Sequence, residues 1–433
     1  MMLFPPAEVA RPNPDPAPPQ PAAFDLAGAL ARAKAENPLL KAARAAVEER
    51  RGLITATRAD ALPQVNVNGS FTRLRDDSMI LGSTGQALAA FGLTPDELTA
   101  PSNVYSTQAT LSQPLFYWGK LGTAIQVAKM GEVEAGYAYT TSELDTLHGV
   151  AKAYIGVLAT QADLEVTQVR LQAAEQFKAD VAAKLEVQSA TRLDVLRAES
   201  EYLGVIPENL QAEADYKRAV EALDSQLNLD PRTPLRLADP GAPETDALPA
   251  PADRSEILQF RQQEQMYQAN DRILEADLRP KLDFNASYGY QTSSSSDLGH
   301  QPYDTWQVNL TLKVPLFDGL RSSGKRAQNR AQLEQVTEAR VDKERNVAME
   351  LNTSRRELTK AVALSQAADQ AYSAALEALR TSREAFDQGL ITSLDLLQAE
   401  REERSRSSQQ RRGHLGVWTA LFDYRRACGL PPL

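Results

Sequence analysis

The sequence has one cysteine, Cys428, among its 433 residues. A single cysteine excludes an internal disulfide and a cysteine-based metal cluster. The three histidines are His148, His300 and His414, and they lie far apart with no metal-ligand spacing. We therefore expect no bound metal, and nothing in the sequence indicates a cofactor.

Long apolar runs are also missing. No stretch approaches the roughly 18 apolar residues that a transmembrane helix needs, so a membrane-spanning part would have to consist of β-strands. The sequence also lacks a Gly-rich phosphate loop, a His-Glu-x-x-His pattern and a serine nucleophile elbow. These absences predict that the protein is not an enzyme.

An excess of positive charge is absent as well. The formal net charge is -10 and the isoelectric point is near 5.1. This balance argues against nucleic acid and against an anionic membrane surface as partners.

The N-terminal 24 residues contain eight prolines, which predicts a disordered or extended leader. They lack the basic start, the apolar core and the small-residue cleavage site of a secretory signal peptide. Two alternatives remain open: a signal sequence is missing from this version of the sequence, or the protein stays in the cytoplasm.

The sequence does contain an internal repeat with an offset of 201 residues. A Pro-Leu-Phe motif occurs at 114–116 and again at 315–317. A Leu-Asp-Val/Leu-Leu motif occurs at 193–196 and again at 394–397. In both copies the first residues of the two motifs are 79 positions apart, with no gap. A duplication of this size determines the architecture before any single motif is interpreted.

The repeat predicts the organisation of the chain. The Pro-rich leader covers residues 1–23 and is followed by a first repeat at 24–229. A Pro-rich linker at 230–252 leads to a second repeat at 253–433. Each repeat is predicted to contain a helix, a β-hairpin, a very long helix and a return helix.

Helical periodicity predicts one helix from Phe24 to Ala61 and its counterpart from Ser255 to Leu278. No proline occurs at 115–206 or at 316–430. These intervals predict helices of some 65 residues, each roughly 100 Å long. Pro207 lies in the first return helix and is expected to kink or break it near Leu203.

The long helices also carry a seven-residue repeat, which predicts a coiled coil. In the second copy, large residues share one heptad position, with Ser365 as the exception, and small residues follow three positions later. The large positions are Leu351, Leu358, Tyr372, Leu379 and Phe386, and the small positions are Ser354, Ala361, Ala368, Ala375 and Ser382. Small side chains allow neighbouring helices to approach closely.

Four segments alternate apolar and polar residues over about ten positions. Asn66 and Asn68 lie on the polar side of the first segment, Asn285 on that of the third and Asn309 on that of the fourth. The polar sides consist of amides and hydroxyls with few charges. This pattern is typical of transmembrane strands with a wet interior, although a soluble β-sandwich alternates in the same way.

Four strands cannot close a barrel, and an open sheet edge cannot face hydrocarbon. Strands that cross a membrane would have to be pooled by several chains. Three chains would supply twelve strands, together with twelve long helices for a hollow helical cylinder.

The order of these elements, given twice, resembles the TolC-like outer-membrane efflux proteins. The resemblance covers nearly the whole chain from Phe24. It rests on two helix-to-strand joints at 59–63 and 276–280, on the Pro-Leu-Phe motifs, and on the Leu-Asp motifs, each followed by Ala-Glu.

The resemblance implies an internally duplicated α+β membrane protein in the outer membrane of a Gram-negative bacterium. Four strands per chain would contribute to a homotrimeric, twelve-stranded barrel in outer-membrane lipid. That barrel would continue into a long periplasmic α-helical barrel. The expected function is a passive exit duct for efflux or type I secretion. Its partners would be an inner-membrane transporter and a periplasmic adaptor protein, with no nucleic acid.

The residues between the long helices and their return helices are the candidate tips. Thr191-x-x-Asp194 and Thr392-x-x-Asp395 are capping-box patterns, and both aspartates could simply start the return helices. The resemblance places Asp194 and Asp395 at the periplasmic aperture, together with Gln398. It assigns adaptor docking to Gln188, Thr191, Gly389 and Thr392. The competing interpretation is a soluble coiled-coil scaffold or structural protein.

Overall fold

A computed structural model describes residues 22–74, 90–91, 102–230, 235–243, 248–292, 296, 304–388, 390–391 and 393–433. The chain folds as two compact units, and each unit combines segments of both repeats. Unit 1 comprises Met1–Ala45, Tyr137–Ile257 and Asp342–Leu433, and unit 2 comprises Ala46–Gly136 and Leu258–Val341. The domain boundaries drawn from the repeat remain a prediction.

The described residues form seven helices longer than ten residues and six strands. The helices are α1 (Leu26–Glu36), α2 (Pro38–Ala59), α3 (Lys120–Glu186), α4 (Arg192–Leu227), α5 (Ser255–Ala276), α6 (Arg321–Asp387) and α7 (Ser393–Ala427). The strands are β1 (Ala22–Phe24), β2 (Gln64–Leu74), β3 (Ser102–Phe116), β4 (Leu235–Leu237), β5 (Lys281–Thr292) and β6 (Asp304–Lys313). Most of the predicted leader and of the two hairpin loops lies outside the described residues.

The prediction of one helix from Phe24 to Ala61 was wrong. Phe24 belongs to β1, and the helical stretch is divided between α1 and α2 at Asn37. Asn37 has extended backbone angles, with φ at -61° and ψ at 126°. The following Pro38 disfavours the helical conformation at the residue before it and is itself suited to the first position of α2.

The two long helices match their prediction closely, since α3 and α6 each contain 67 residues. Pro207 lies inside α4, which continues on both sides of it. Of the two expected outcomes, a break does not occur, and a kink stays a prediction. Of the helices in the described ranges, none is long and apolar enough to span a bilayer.

The heptad positions of α6 form a packing face within unit 1. Leu358, Ala375 and Leu379 are buried along this face, as is Ser354. At Gly413 of α7, an added Cβ would lie 3.3 Å from the Cα of Ser365 in α6. Ala368 of the small row lies 3.7 Å from the same added Cβ. The close approach therefore involves Ser365, the exception in the large row, as well as a residue of the small row.

The core of unit 1 contains residues of α1, near the N-terminal end of the described chain, and of α7, near its C-terminal end. Tyr154 of α3 is fully buried, and its hydroxyl donates to the carbonyl oxygens of Phe24 and Ala238 at 3.0 and 2.6 Å. Phe422 of α7 and Leu223 of α4 belong to the same core. The parallel pairing of β1 with β4 lies beside it.

A buried ionic cluster also lies in unit 1. The carboxylate of Glu256 accepts hydrogen bonds from Arg254 at 2.7 Å and from Arg426 at 2.9 Å. The Arg254 side chain is 3% exposed and also donates to the carbonyl of Ala427. Burial alone would raise the pKa of Glu256, but the two arginines outweigh it and hold that pKa well below its usual range.

Unit 2 contains a four-stranded antiparallel sheet in the order β2-β3-β5-β6. All four predicted strands are present. All four strands connect to the helices at the same end of the sheet. A register shift between Pro114 and Phe116 ends the regular pairing of β3 with β5.

Candidate conduit faces and helical tips

One face of the sheet is mostly polar. Asn285 of β5 lies opposite Asn309 of β6 and opposite Ser112 of β3. Asn66 and Asn68 of β2 share this face. They lie opposite Thr110 and Gln108 of β3. These two residues point to the same side of β3 as Ser112, because every second residue of a strand faces the same way. The structure thus brings the four predicted lumen residues to one face, although their role in a lumen remains a prediction.

The opposite face of the sheet is apolar and exposed. Trp306 is 73% exposed and Val308 is 57% exposed in β6. Val65, Val67 and Phe71 present a similar surface on β2. A contiguous apolar surface of this kind requires lipid or another protein to cover it.

Each sheet strand that leads into a long helix is followed by a left-handed turn. Trp118 and Gly119 have φ values of 52° and 74° before α3. Gly319 and Leu320, at the same positions of the second repeat, have φ values of 66° and 65° before α6. One glycine in each pair avoids part of the steric cost of two left-handed residues.

Trp118 anchors the first of these turns and was not singled out by its sequence pattern. Its indole nitrogen donates to the carbonyl of Pro280 at 2.7 Å. The guanidinium of Arg279 lies 5.3 Å from the centre of its ring, within cation–π range. The sequence did contain a signal for this role, because Trp118 occupies the position at which the other repeat has Gly319.

The first tip has the predicted capping geometry. The Asp194 backbone N–H donates to the Thr191 hydroxyl oxygen at 3.2 Å, and the Asp194 carboxylate accepts from the Thr191 N–H at 2.9 Å. The Thr191 hydroxyl also donates to that carboxylate at 2.6 Å. These hydrogen bonds lower the pKa of Asp194, which is therefore ionised at neutral pH.

Gln188 ends the preceding helix in a left-handed conformation, with φ at 60°. The Ser189 N–H donates to the Lys184 carbonyl, and the Gln188 N–H donates to the Leu185 carbonyl. This is the Schellman pattern, in which glycine is preferred at the left-handed position. In the first tip glutamine occupies this position, and its Cβ makes the left-handed conformation less favourable than it is for glycine.

The second tip is described in part. Asp395 lies in the first turn of α7, and Gln398 is exposed one turn later. The Leu390 N–H donates to the Ala385 carbonyl at 2.8 Å beyond the end of α6. Gly389 and Thr392 lie outside the described residues, so the second capping box and its glycine remain predictions.

Apolar side chains are exposed near both tips. Val187 is 71% exposed and Leu193 is 55% exposed at the first, and Leu390 is 72% exposed at the second. Leu193 belongs to the repeated Leu-Asp motif, which was interpreted for its aspartate alone. The leucine adds an apolar surface beside the carboxylate.

Most of the chain matches one protein family. The family model, described as outer membrane efflux protein, covers residues 29–229 and 250–416. The chain belongs to the outer membrane efflux protein family. The protein is therefore an outer-membrane exit channel, and the soluble scaffold that the sequence left open is set aside.

Curated relatives agree with the family. The chain is 22% identical to the outer membrane protein TolC of Vibrio cholerae over 94% of this chain and 91% of that protein. It is 27% identical to the pyoverdine export outer membrane protein OpmQ of Pseudomonas aeruginosa, over 82% and 78% of the two chains. Both relatives are named as outer membrane proteins, and the second is named as an export protein.

Solved structures share the fold. The outer membrane protein VceC of Vibrio cholerae aligns with a TM-score of 0.74 at 18% identity, over 94% of this chain and 97% of that one. The outer membrane channel CmeC of Campylobacter jejuni aligns with a TM-score of 0.76 at 14% identity, over 93% and 85%. The duplicated arrangement of hairpins and long helices is thus the fold of this family.

Proposed function

We propose that three copies of the chain pool their strands into one twelve-stranded barrel. The observation that carries this proposal is the pairing within the sheet. Among the described residues, β2 and β6 each pair with a neighbour on one side only. Unpaired backbone groups are costly in hydrocarbon, so the free edge of β2 would pair with β6 of the next copy.

In that barrel the exposed apolar face contacts outer-membrane lipid and the polar face lines the lumen. Asn66, Asn68, Asn285 and Asn309 then contribute hydrogen-bonding groups to a wet interior. The long helices continue the passage into the periplasm as a helical barrel. Cargo moves by passage, and the chain itself carries out no covalent chemistry.

The duct receives its cargo from an inner-membrane transporter through a periplasmic adaptor. We propose that the adaptor docks on the tips at Gln188, Thr191, Gly389 and Thr392. The exposed apolar side chains beside these residues support the assignment, because a docking partner would remove them from water. The same duct serves either a tripartite efflux system or a type I secretion system.

We propose further that Asp194 and Asp395, with Gln398, line the aperture at the periplasmic end. Three copies of each aspartate would gather six carboxylates at a narrow entrance. At Asp194, the hydrogen bonds from Thr191 stabilise the ionised carboxylate against this repulsion. The Asp194 side chain therefore both caps α4 and contributes to the proposed gate.

Replacing both Asp194 and Asp395 with alanine should raise the single-channel conductance and weaken the preference for cations. The physical reason is that alanine removes the charge and the capping contacts together. Planar-bilayer recordings of the purified protein measure both quantities.

Asparagine at both positions is the matched control, because it retains much of the capping ability and removes the charge. We expect this variant to lose cation preference with a smaller rise in conductance. If it equals the wild type in conductance and in ion selectivity, the aspartates are helix caps and the aperture proposal is wrong.

A further inference from the structure

On the polar face of the sheet, the described charged residues lie only at the end where the strands join the helices. Over the described strands, this face carries mostly amides and hydroxyls, together with the uncharged residues Leu74, Val104, Pro114 and Gly289. Its three charged residues are Lys281, Asp283 and Lys313. All three lie at the helix-connected ends of β5 and β6. The charge on this face is thus confined to one level of the sheet.

Two of the three charged groups have partners. The Lys281 ammonium lies 2.9 Å from the Asp277 carboxylate, which also binds Lys120 at 2.6 Å. The Asp283 carboxylate accepts a hydrogen bond from the Tyr117 hydroxyl at 2.7 Å. These contacts hold both side chains against the end of the sheet.

Lys313 differs from its neighbours. It is exposed, and in the described parts of the chain no carboxylate lies within 4.0 Å of its ammonium group. Its direct cross-strand partner is Lys281, so two like charges lie opposite each other, an arrangement that ordinarily destabilises a sheet. The closest acid in register is Asp283, which lies opposite Thr311.

We propose that Lys313 is a selectivity residue that favours anionic cargo at the foot of the barrel. The inference rests on the proposed trimer, in which three copies of Lys313 form a cationic ring facing the lumen. Above this ring the described strand residues of the polar face are uncharged. At the level of the ring the face also carries Lys281 and one carboxylate, Asp283, so the lysines outnumber the acid. Cargo that carries carboxylate or phosphate groups would be drawn through, and cationic cargo would be slowed.

The ring should act over a limited distance. Charges exposed to water are screened over about 10 Å at 0.1 M salt and about 3 Å at 1 M. The contribution of Lys313 should therefore be visible at low ionic strength and fade at high ionic strength. This salt dependence separates an electrostatic ring from a steric effect of the side chain.

The test uses the full-length protein in planar bilayers with a KCl gradient. Lys313→Gln should lower the permeability ratio of chloride to potassium roughly twofold at low salt, and Lys313→Glu should lower it further. Lys313→Arg retains the charge and should retain the wild-type ratio. The series is repeated with asparagine at positions 194 and 395, which removes the carboxylates of the proposed aperture from the measurement.

A second readout is the efflux of anionic and cationic dyes of equal size from vesicles. Lys313→Glu should slow the anionic dye relative to the cationic one. The inference is overturned if Lys313→Glu forms channels of normal conductance with the wild-type permeability ratio in both backgrounds. If the wild-type protein forms no channel at all, the proposed trimeric barrel itself fails, and the inference fails with it.

Discussion

Val308→Arg is expected to prevent assembly in the outer membrane. Val308 lies mid-strand on the apolar face of β6, where it pairs with Ala286 and is 57% exposed. An arginine that faces lipid near the midplane costs about 2–4 kcal/mol per copy, and a trimer would carry three. Phe284→Arg on β5 should act in the same direction, because Phe284 pairs with Leu310 on the same face.

Asn309→Arg is the matched control, since it places the same side chain one residue further along the same strand. Asn309 belongs to the polar face, where an arginine remains hydrated. The amount of protein in the outer-membrane fraction measures both variants. Normal assembly of Val308→Arg together with failure of Asn309→Arg would mean that the two faces are assigned the wrong way round.

Glu256→Ala should cause a large loss of stability in unit 1. The substitution leaves the guanidinium groups of Arg254 and Arg426 buried without the carboxylate that now accepts from both. Removing one partner of a buried ion pair typically costs about 3–5 kcal/mol. The midpoint of thermal unfolding in detergent should fall accordingly.

The control is Glu213→Ala, which removes an exposed ion pair with Lys217 on α4 and should change stability by less than about 1 kcal/mol. Acid should act in the same direction as the Glu256 substitution. The folded pKa of Glu256 lies below its usual value of 4.5, so its contribution is present above that pH and is lost as pH falls. Equal melting midpoints for the two variants would contradict this role of Glu256.

The duplicated sequence predicted the order of the four sheet strands, the two long helices and their return helices, because the matched motifs mark the strand-to-helix joints and the tips. It did not predict the short strands β1 and β4. The 67-residue helices follow from two proline-free intervals, and the four strands follow from clean alternation. The break at Asn37 was missed because helical periodicity continues through Pro38, although proline at the first turn disfavours a helical residue before it.

The candidate sites were predictable to a smaller extent. The Thr191 and Asp194 capping box depends on a local spacing of three residues, so the pattern alone predicts it. The isolation of Lys313 depends on strand register, which places it opposite Lys281 of the preceding strand. The local spacing indicates only that Asp277 can pair with Lys281. The left-handed conformation of Gln188 was hidden as well, because glutamine rarely occupies that position.

The central claim is that four strands of one chain become a membrane barrel when three copies assemble. The most direct test is the mass of the purified protein in detergent, by light scattering or native mass spectrometry. We expect a mass of three chains, or about three times 47.4 kDa. A stable monomer that remains in solution without detergent would contradict the claim.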